Sequence, residues 1–367
     1  MSNPNRPSGE IRSLTGLRGV AAVFVVMFHA LRSTSPTASF LLGKGYLSVD
    51  LFFVLSGYVM SLNYGEMFLA DGASFKDYRK FLGFRFARIY PLYGVMICAM
   101  ALLGWAGAIP IYGVHNLKHA LIWNLSLMQA WSLGAGNIDG PAWSISTELT
   151  AYIGFPVLVF FVLRGKEGRA WGAAALALLL MIAIVIAGSL PIRGAPVDGP
   201  LGVFDTITPL PVFRCVAGFV LGMAAFRLQG SRFGKALASR PFYGDILAVA
   251  LVILLFVKPG DVLFVALGTM LIAHLATSPS IVSAAISSRP VYYLGKISYS
   301  IYLIHLPIIL LLRGLFESRG WPMVPANLFA LALSIAIAPL AYNLVEVPGR
   351  MFLRRILSRL PTAAPAG

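Results

Sequence analysis

The chain has 367 residues, of which 58% are hydrophobic and 12% charged, and its formal net charge is +15. A soluble fold of this length could not bury that much apolar surface, so the proportions exclude an ordinary soluble globular protein and leave a chain that lipid solvates. The basic residues flank apolar runs and form no aromatic-interleaved patch, which excludes the nucleic-acid partner that the charge alone would suggest.

In chain order, the opening MSNPNRPSGEIRSLTG lacks the small-residue cleavage site of a secretory signal, so the first apolar run is expected to remain as a helix. Ten spans are predicted, at about 17–31, 46–63, 90–108, 144–163, 171–190, 210–226, 245–257, 261–277, 297–313 and 323–345. Several are shorter than the roughly 20 residues a bilayer core requires, so their helices extend further or the bundle is locally thin. The segment 117–133 carries Lys118, His119, Asn124 and Gln129 and is read as re-entrant or interfacial. With the N-terminus in the cytoplasm, 20 Lys and Arg fall on that side and 7 on the other, Arg18 and Arg214 being set aside as helix residues. The positive-inside rule then places both termini in the cytoplasm, and a full span at 117–133 would invert every later loop. The expected fold is an all-α polytopic membrane protein, a bundle of about ten transmembrane helices. It comprises a membrane domain, 1–350, and a cytoplasmic tail, 351–367, that is basic, then Ala/Pro-rich and disordered. Cys98 and Cys215 lie within apolar segments and are read as packing residues.

Ionisable residues inside spans are costly and mark candidate sites. Arg18 and His29 are eleven positions apart on the first span, about three turns, so they share a face and lie roughly 16 Å apart along the axis. They form a site, or they snorkel to the two interfaces. Asp50 opens the second span at about the depth of His29, where a carboxylate can hold the imidazole tautomer or form a structural ion pair. Ser56-Gly57 on the same span reads as close helix packing. Arg85 and Arg88 share a face at the edge of the third span, near a helix start, and suit either a phosphate ligand or membrane anchoring. Glu148, placed near the outer surface, either orients an acceptor hydroxyl or caps its helix with Ser144. Arg214 pairs with Glu148 or with Asp205. His305, two residues before Pro307, is suited to bond the carbonyls that a proline frees, and Glu346 and Arg350 can pair locally.

Five stretches occur in one order between about residues 11 and 350: Arg18-x10-His29; Asp50-Leu-Phe-Phe-Val-Leu-Ser-Gly57; Arg85-x-x-Arg88-Ile-x-Pro91; Trp143-Ser144 with Glu148; and Ser298-Tyr299-x-x-Tyr302-Leu303-x-His305-x-Pro307. Together they resemble the integral-membrane acyltransferase-3 family, whose members include bacterial O-antigen and exopolysaccharide O-acetyltransferases. The resemblance implies ten spans with cytoplasmic termini, a catalytic Arg18–His29 pair and a donor site at Arg85 and Arg88. It also implies acyl-CoA, usually acetyl-CoA, as donor substrate. Some relatives carry a fused outer esterase-like domain; this chain ends soon after its last span and resembles the stand-alone branch. Acceptors differ within the family and include polysaccharides, lipid-linked sugars, peptidoglycan and macrolide antibiotics.

The expected function is transfer of an acyl group, acetyl in the usual case, from acyl-CoA to a hydroxyl of a glycan or lipid-linked sugar, or else of a macrolide-type small molecule. The expected setting is the bacterial inner membrane, with lipids as partners, no nucleic acid, no tightly bound cofactor and no metal. His29 would act as general base and Asp50 would orient it. Arg18 would bind the donor or stabilise negative charge, Glu148 would serve the acceptor, and Arg85 and Arg88 would hold the coenzyme A phosphates. Direct attack by the hydroxyl and transient acylation of His29 are both open routes. The rival class, a transporter or lipid-sugar flippase, predicts charged rows along several helices and internal pseudo-repeats, and the sequence has neither.

Overall fold

In hydrocarbon every backbone N–H and C=O must be satisfied within the protein, and long apolar runs achieve this as helices. The computed structural model describes residues 10–69, 74–111, 113–131, 133–189, 199–203 and 208–359, and among these there are helices and no strands. Asp205, Arg193, Arg6 and the tail beyond 359 lie outside the described residues.

The helices are α1 (Arg12–Leu31), α2 (Pro36–Leu42), α3 (Ser48–Leu69), α4 (Phe75–Trp105), α5 (Leu117–Leu125), α6 (Trp143–Leu158), α7 (Glu167–Ser189) and α8 (Leu210–Leu228). They continue with α9 (Arg232–Ala238), α10 (Phe242–Leu254), α11 (Asp261–Thr277), α12 (Ile281–Ile286), α13 (Arg289–Lys296), α14 (Ser298–Glu317), α15 (Met323–Ala341) and α16 (Val347–Arg359). Eight described helical stretches are long and apolar enough to cross a membrane. A ninth is counted if α9 and α10, which meet at 89°, form one broken span, and α11 is a shorter apolar helix of 17 residues. Each of the ten expected spans therefore has a helix, and the protein is an all-α polytopic membrane bundle.

The segment 117–133 is not a span. Its helix, α5, has nine residues and is capped by Asn116, whose side chain accepts the His119 N–H. In the irregular stretch that follows, Leu127, Gln129, Ala130 and Ile138 are buried in protein. The Asn124 side chain donates to the carbonyls of Ala120 and Gly136 and accepts the Ile138 N–H, while Gln129 donates to Tyr93 Oη and the Ala142 carbonyl. Non-helical backbone at this depth is tolerated only when protein supplies such partners.

Several helix pairs pack backbone to backbone. A Cβ on Gly57 of α3 would lie 1.9 Å from Phe219 O of α8, and one on Gly222 of α8 would lie 1.9 Å from Val54 O of α3. On the other side of the bundle, Gly19 of α1 and Gly295 of α13 make the same close approach. Small residues are what bring membrane helices this near, since lipid offers no hydrophobic drive for association. Asp50 and Arg214 sit on the α3–α8 seam and are fully buried; Arg214 Nε donates to Asp50 Oδ1 (2.9 Å) and Nη2 to Oδ2 (2.7 Å). Such a pair is costly to break on one side, because the remaining charge stays buried and unpaired.

The seam can be tested by overpacking it. Gly222→Ala is expected to destabilise the folded protein by roughly 1–3 kcal/mol, lowering its melting temperature in detergent. Gly154→Ala, where an added Cβ meets nothing within 4 Å, is the matched control and should melt like the parent. Equal melting of the two variants would refute the close α3–α8 approach.

Candidate functional site

A cavity of about 150 Å³ opens between α1, α3, α4, α6 and α14. Helical spacing delivers its polar lining. Arg85 and Arg88 share one face of α4; Ser144, Glu148 and Tyr152 recur every fourth residue on α6; Tyr299 and Tyr302 lie three apart on α14; and Phe52, Ser56 and Val59 line it from α3. Arg18 enters from α1. It is half-buried and has no hydrogen bond or ion pair among the described residues.

The other charges are held. Glu148 Oε1 accepts the Tyr152 hydroxyl (2.6 Å), and that hydroxyl lies 3.2 Å from Ser56 Oγ. Arg85 Nη2 donates to Tyr64 Oη (3.2 Å), while its Nε is buried without a hydrogen-bond partner among the described residues. Arg88 forms an ion pair with Glu346, which also accepts the Ser300 hydroxyl at 2.7 Å, and its guanidinium lies 5.3 Å from the Tyr299 ring centre. Three arginines against two carboxylates, Glu148 and Glu346, leave a balance of +1 at the cavity (3 − 2 = 1).

His29 is not among the lining residues. It lies further along α1, where its Nδ1 is 3.0 Å from Val25 O and 3.2 Å from Nε2 of His305. His305 is fully buried, and its own Nδ1 is 2.6 Å from Tyr302 O. Arg313 Nη2 donates to the carbonyls of His29 and Ala30 (3.0 Å each), tying down the end of α1. Phe52 and Tyr302, ring centres 5.9 Å apart and edge to face, line the cavity, and the Tyr302 ring also lies 5.9 Å from that of His305. The Tyr302 hydroxyl donates to Pro141 O (2.9 Å) and meets Ser144 Oγ at 2.8 Å.

The structure therefore gathers Arg18, Arg85, Arg88 and Glu148 in one cavity, and corrects several expected partnerships. Asp50 does not orient His29, since both its oxygens go to Arg214 across the α3–α8 seam. Arg214 accordingly pairs with Asp50 and not with Glu148. Glu346 reaches across to Arg88 and not one turn along to Arg350. Ser144 does not cap α6 with Glu148; it bonds Pro141 O and Tyr302. Arg85 and Arg88 are not at a helix start, because α4 begins ten residues earlier at Phe75, so no helix terminus supports an anion there. His305 does bond a carbonyl, that of Tyr302, but its other nitrogen faces His29.

Sequence reasoning passed over Tyr152, although it lies one turn beyond Glu148. It also passed over Asp139, buried just before α6 with neither oxygen hydrogen-bonded among the described residues. Burial pushes the Asp139 carboxyl up to about 8.

The chain is similar to known proteins over nearly its whole length. Residues 11–343 match the acyltransferase domain family Acyl_transf_3. The chain is 26% identical to the putative peptidoglycan O-acetyltransferase YrhL of Bacillus subtilis, over 95% of this chain and 56% of the relative. It is 26% identical to the O-acetyltransferase OatA of Staphylococcus aureus, over 92% of this chain and 57% of the relative. The chain thus spans little more than half the length of these two proteins. With the acyltransferase MdmB of Streptomyces mycarofaciens it shares 28% identity, over 96% of this chain and 94% of the relative. With the family matched from residue 11 to residue 343, the protein belongs to the acyltransferase-3 family.

Proposed function

We propose that the protein transfers an acetyl group from acetyl-CoA to a hydroxyl of a cell-surface glycan, in the bacterial inner membrane. The observation that carries this reading is the cavity. It is cationic on balance, holds Arg18 without a partner among the described residues, and lies about three helical turns along α1 from a half-buried histidine. The names of YrhL and OatA, both O-acetyltransferases and the former putatively of peptidoglycan, support an acetyl group and a glycan acceptor.

In this reading the arginine end of the bundle is cytoplasmic, in keeping with the excess of Lys and Arg on that side. The phosphates of coenzyme A dock near Arg85, with Arg18 deeper in the cavity facing the donor. Arg88 contributes its field with Glu346 behind it. The pantetheine arm carries the thioester past Phe52 and Tyr302 toward His29. There the imidazole accepts the proton of the acceptor hydroxyl, and the hydroxyl oxygen attacks the thioester carbonyl carbon. The C–S bond breaks as the tetrahedral intermediate collapses, and the departing thiolate takes the proton, leaving an ester and a free thiol. Glu148 lies in the same cavity as the arginines, so in this reading it belongs to the donor side and not to the acceptor.

Cells whose gene copy carries His29→Ala should lose alkali-labile acetyl esters from their surface glycans at equal protein level, because removal of a general base typically costs ~10²–10⁴ in rate. Near-parental ester content would eliminate the mechanism.

The arginines should separate by partner. Arg18→Gln breaks no ion pair, so it should leave the melting temperature near that of the parent while raising the acetyl-CoA concentration needed for half-maximal rate at least ~10-fold. Arg88→Gln strands Glu346 and should cost on the order of 3–5 kcal/mol of stability. Loss of folded protein in both variants, or in neither, would contradict this division.

A further inference from the structure

We propose that His305 is the positioning residue for His29. It accepts a hydrogen bond from Nδ1–H of His29, and so leaves Nε2 of His29 as the nitrogen that takes the acceptor's proton. The inference rests on the reading of His29 as general base and specifies how that base is set.

Two carbonyls decide where the protons lie. A carbonyl oxygen only accepts, so Tyr302 O, 2.6 Å from Nδ1 of His305, requires a proton on that nitrogen. Neutral His305 then carries its lone pair on Nε2. Independently, Val25 O, 3.0 Å from Nδ1 of His29, requires a proton there. The two assignments fit together. Nδ1–H of His29 lies between two acceptors, Val25 O and the lone pair on Nε2 of His305 at 3.2 Å. The opposite tautomer of His305 would set a proton against a proton across that contact and would leave Tyr302 O facing a lone pair. The only ring nitrogen of the pair left without a partner among the described residues is Nε2 of His29.

The arrangement does more than select a tautomer. When Nε2 takes a proton, the positive charge is shared by the whole imidazolium, and both acceptors at Nδ1–H strengthen as it develops. This is the part a carboxylate plays in a hydrolase triad. A neutral acceptor suits this site better. His305 is fully buried in the bundle, where a carboxylate would have to be desolvated. Asp50, the carboxylate at this level of the sequence, is already engaged with Arg214.

His305 is fixed in turn. It sits one turn from Tyr302 on α14, whose hydroxyl is bonded to Pro141 O and whose ring packs against Phe52. The base is therefore aligned by the helix that also walls the donor cavity.

The experiment uses the full chain in membrane vesicles, with labelled acetyl-CoA as donor and rates expressed per folded protein measured by melting. His305→Leu should lower the maximal rate roughly 10- to 10²-fold. This is less than the ~10⁴ lost when a triad carboxylate is replaced, because Val25 O still holds the tautomer. The acetyl-CoA concentration for half-maximal rate should stay within about twofold, since His305 does not line the donor cavity. His305→Gln sets an amide oxygen near the position of Nε2 and should recover most of the rate. His305→Asn reaches only the Nδ1 position and should not. A packing role would make Gln and Asn behave alike. Parental rates in His305→Leu beside an inactive His29→Ala would overturn the inference and leave the function standing, as would a Gln variant no better than Leu. An active His29→Ala would overturn the function itself.

Discussion

Asp50 gives both carboxylate oxygens to Arg214, and the geometry of the whole site follows from that pair. On α3, Asp50, Val54 and Gly57 make one face, set against α8 by the ion pair and by backbone contacts at Gly57 and Gly222. Val49, Phe52, Ser56 and Val59 make another, and these line the cavity. Because a helix is rigid about its axis, fixing the first face fixes the second. Arg214 is further held by the carbonyls of Tyr46 and Val203, so the pair also ties the segment before α3 and the one before α8 to the seam. Two charges that would each be prohibitive alone become, together, the element that sets the rotation of α3.

The remaining charges divide by their distance from a counter-charge. At the arginine end Arg88 is balanced by Glu346, and Arg18 and Arg85 share the cavity with the one remaining carboxylate, Glu148, leaving one positive charge in excess. An anionic ligand would complete that balance. Around His29 the immediate partners are a carbonyl and a neutral imidazole. The two zones thus differ in kind: the cavity gathers ionised side chains, whereas the histidine rings meet each other and backbone carbonyls.

Much of this was legible in the sequence, because expense in lipid marks a residue whatever its partner. Arg18, His29, Asp50, Arg85, Arg88, Glu148, Arg214, His305 and Glu346 all stood out as ionisable groups in or beside apolar runs. What the sequence could not supply was the pairing, which is decided between helices far apart in the chain. Asp50 finds Arg214 and Arg88 finds Glu346, whereas local reasoning favoured His29 at the same depth and Arg350 one turn away. Depth failed for a related reason. Glu148 was placed near a surface because its apolar run begins there. Yet Pro141, Ala142, Trp143 and Ser144 are all buried, so α6 starts inside the protein, packed against the segment that follows α5. Counting from the start of an apolar run assumes that the run starts at water.

The helix that joins the two zones is α14, and its spacing explains why neither zone can be placed without the other. Tyr299, Tyr302 and His305 follow at intervals of three. The first lies under the Arg88 guanidinium and donates its hydroxyl to Ile89 O, the second bounds the cavity, and the third meets His29. Tyr302 serves both zones at once, its hydroxyl held at the start of α6 and its carbonyl held by His305. Any rotation of α14 that moved Tyr299 relative to Arg88 would also swing His305 away from Nδ1 of His29. The ion pair of Arg88 with Glu346, strengthened by Ser300 from α14 itself, opposes that rotation. An interaction that looks like simple charge compensation at one end of the bundle thereby helps hold the geometry of the histidines at the other.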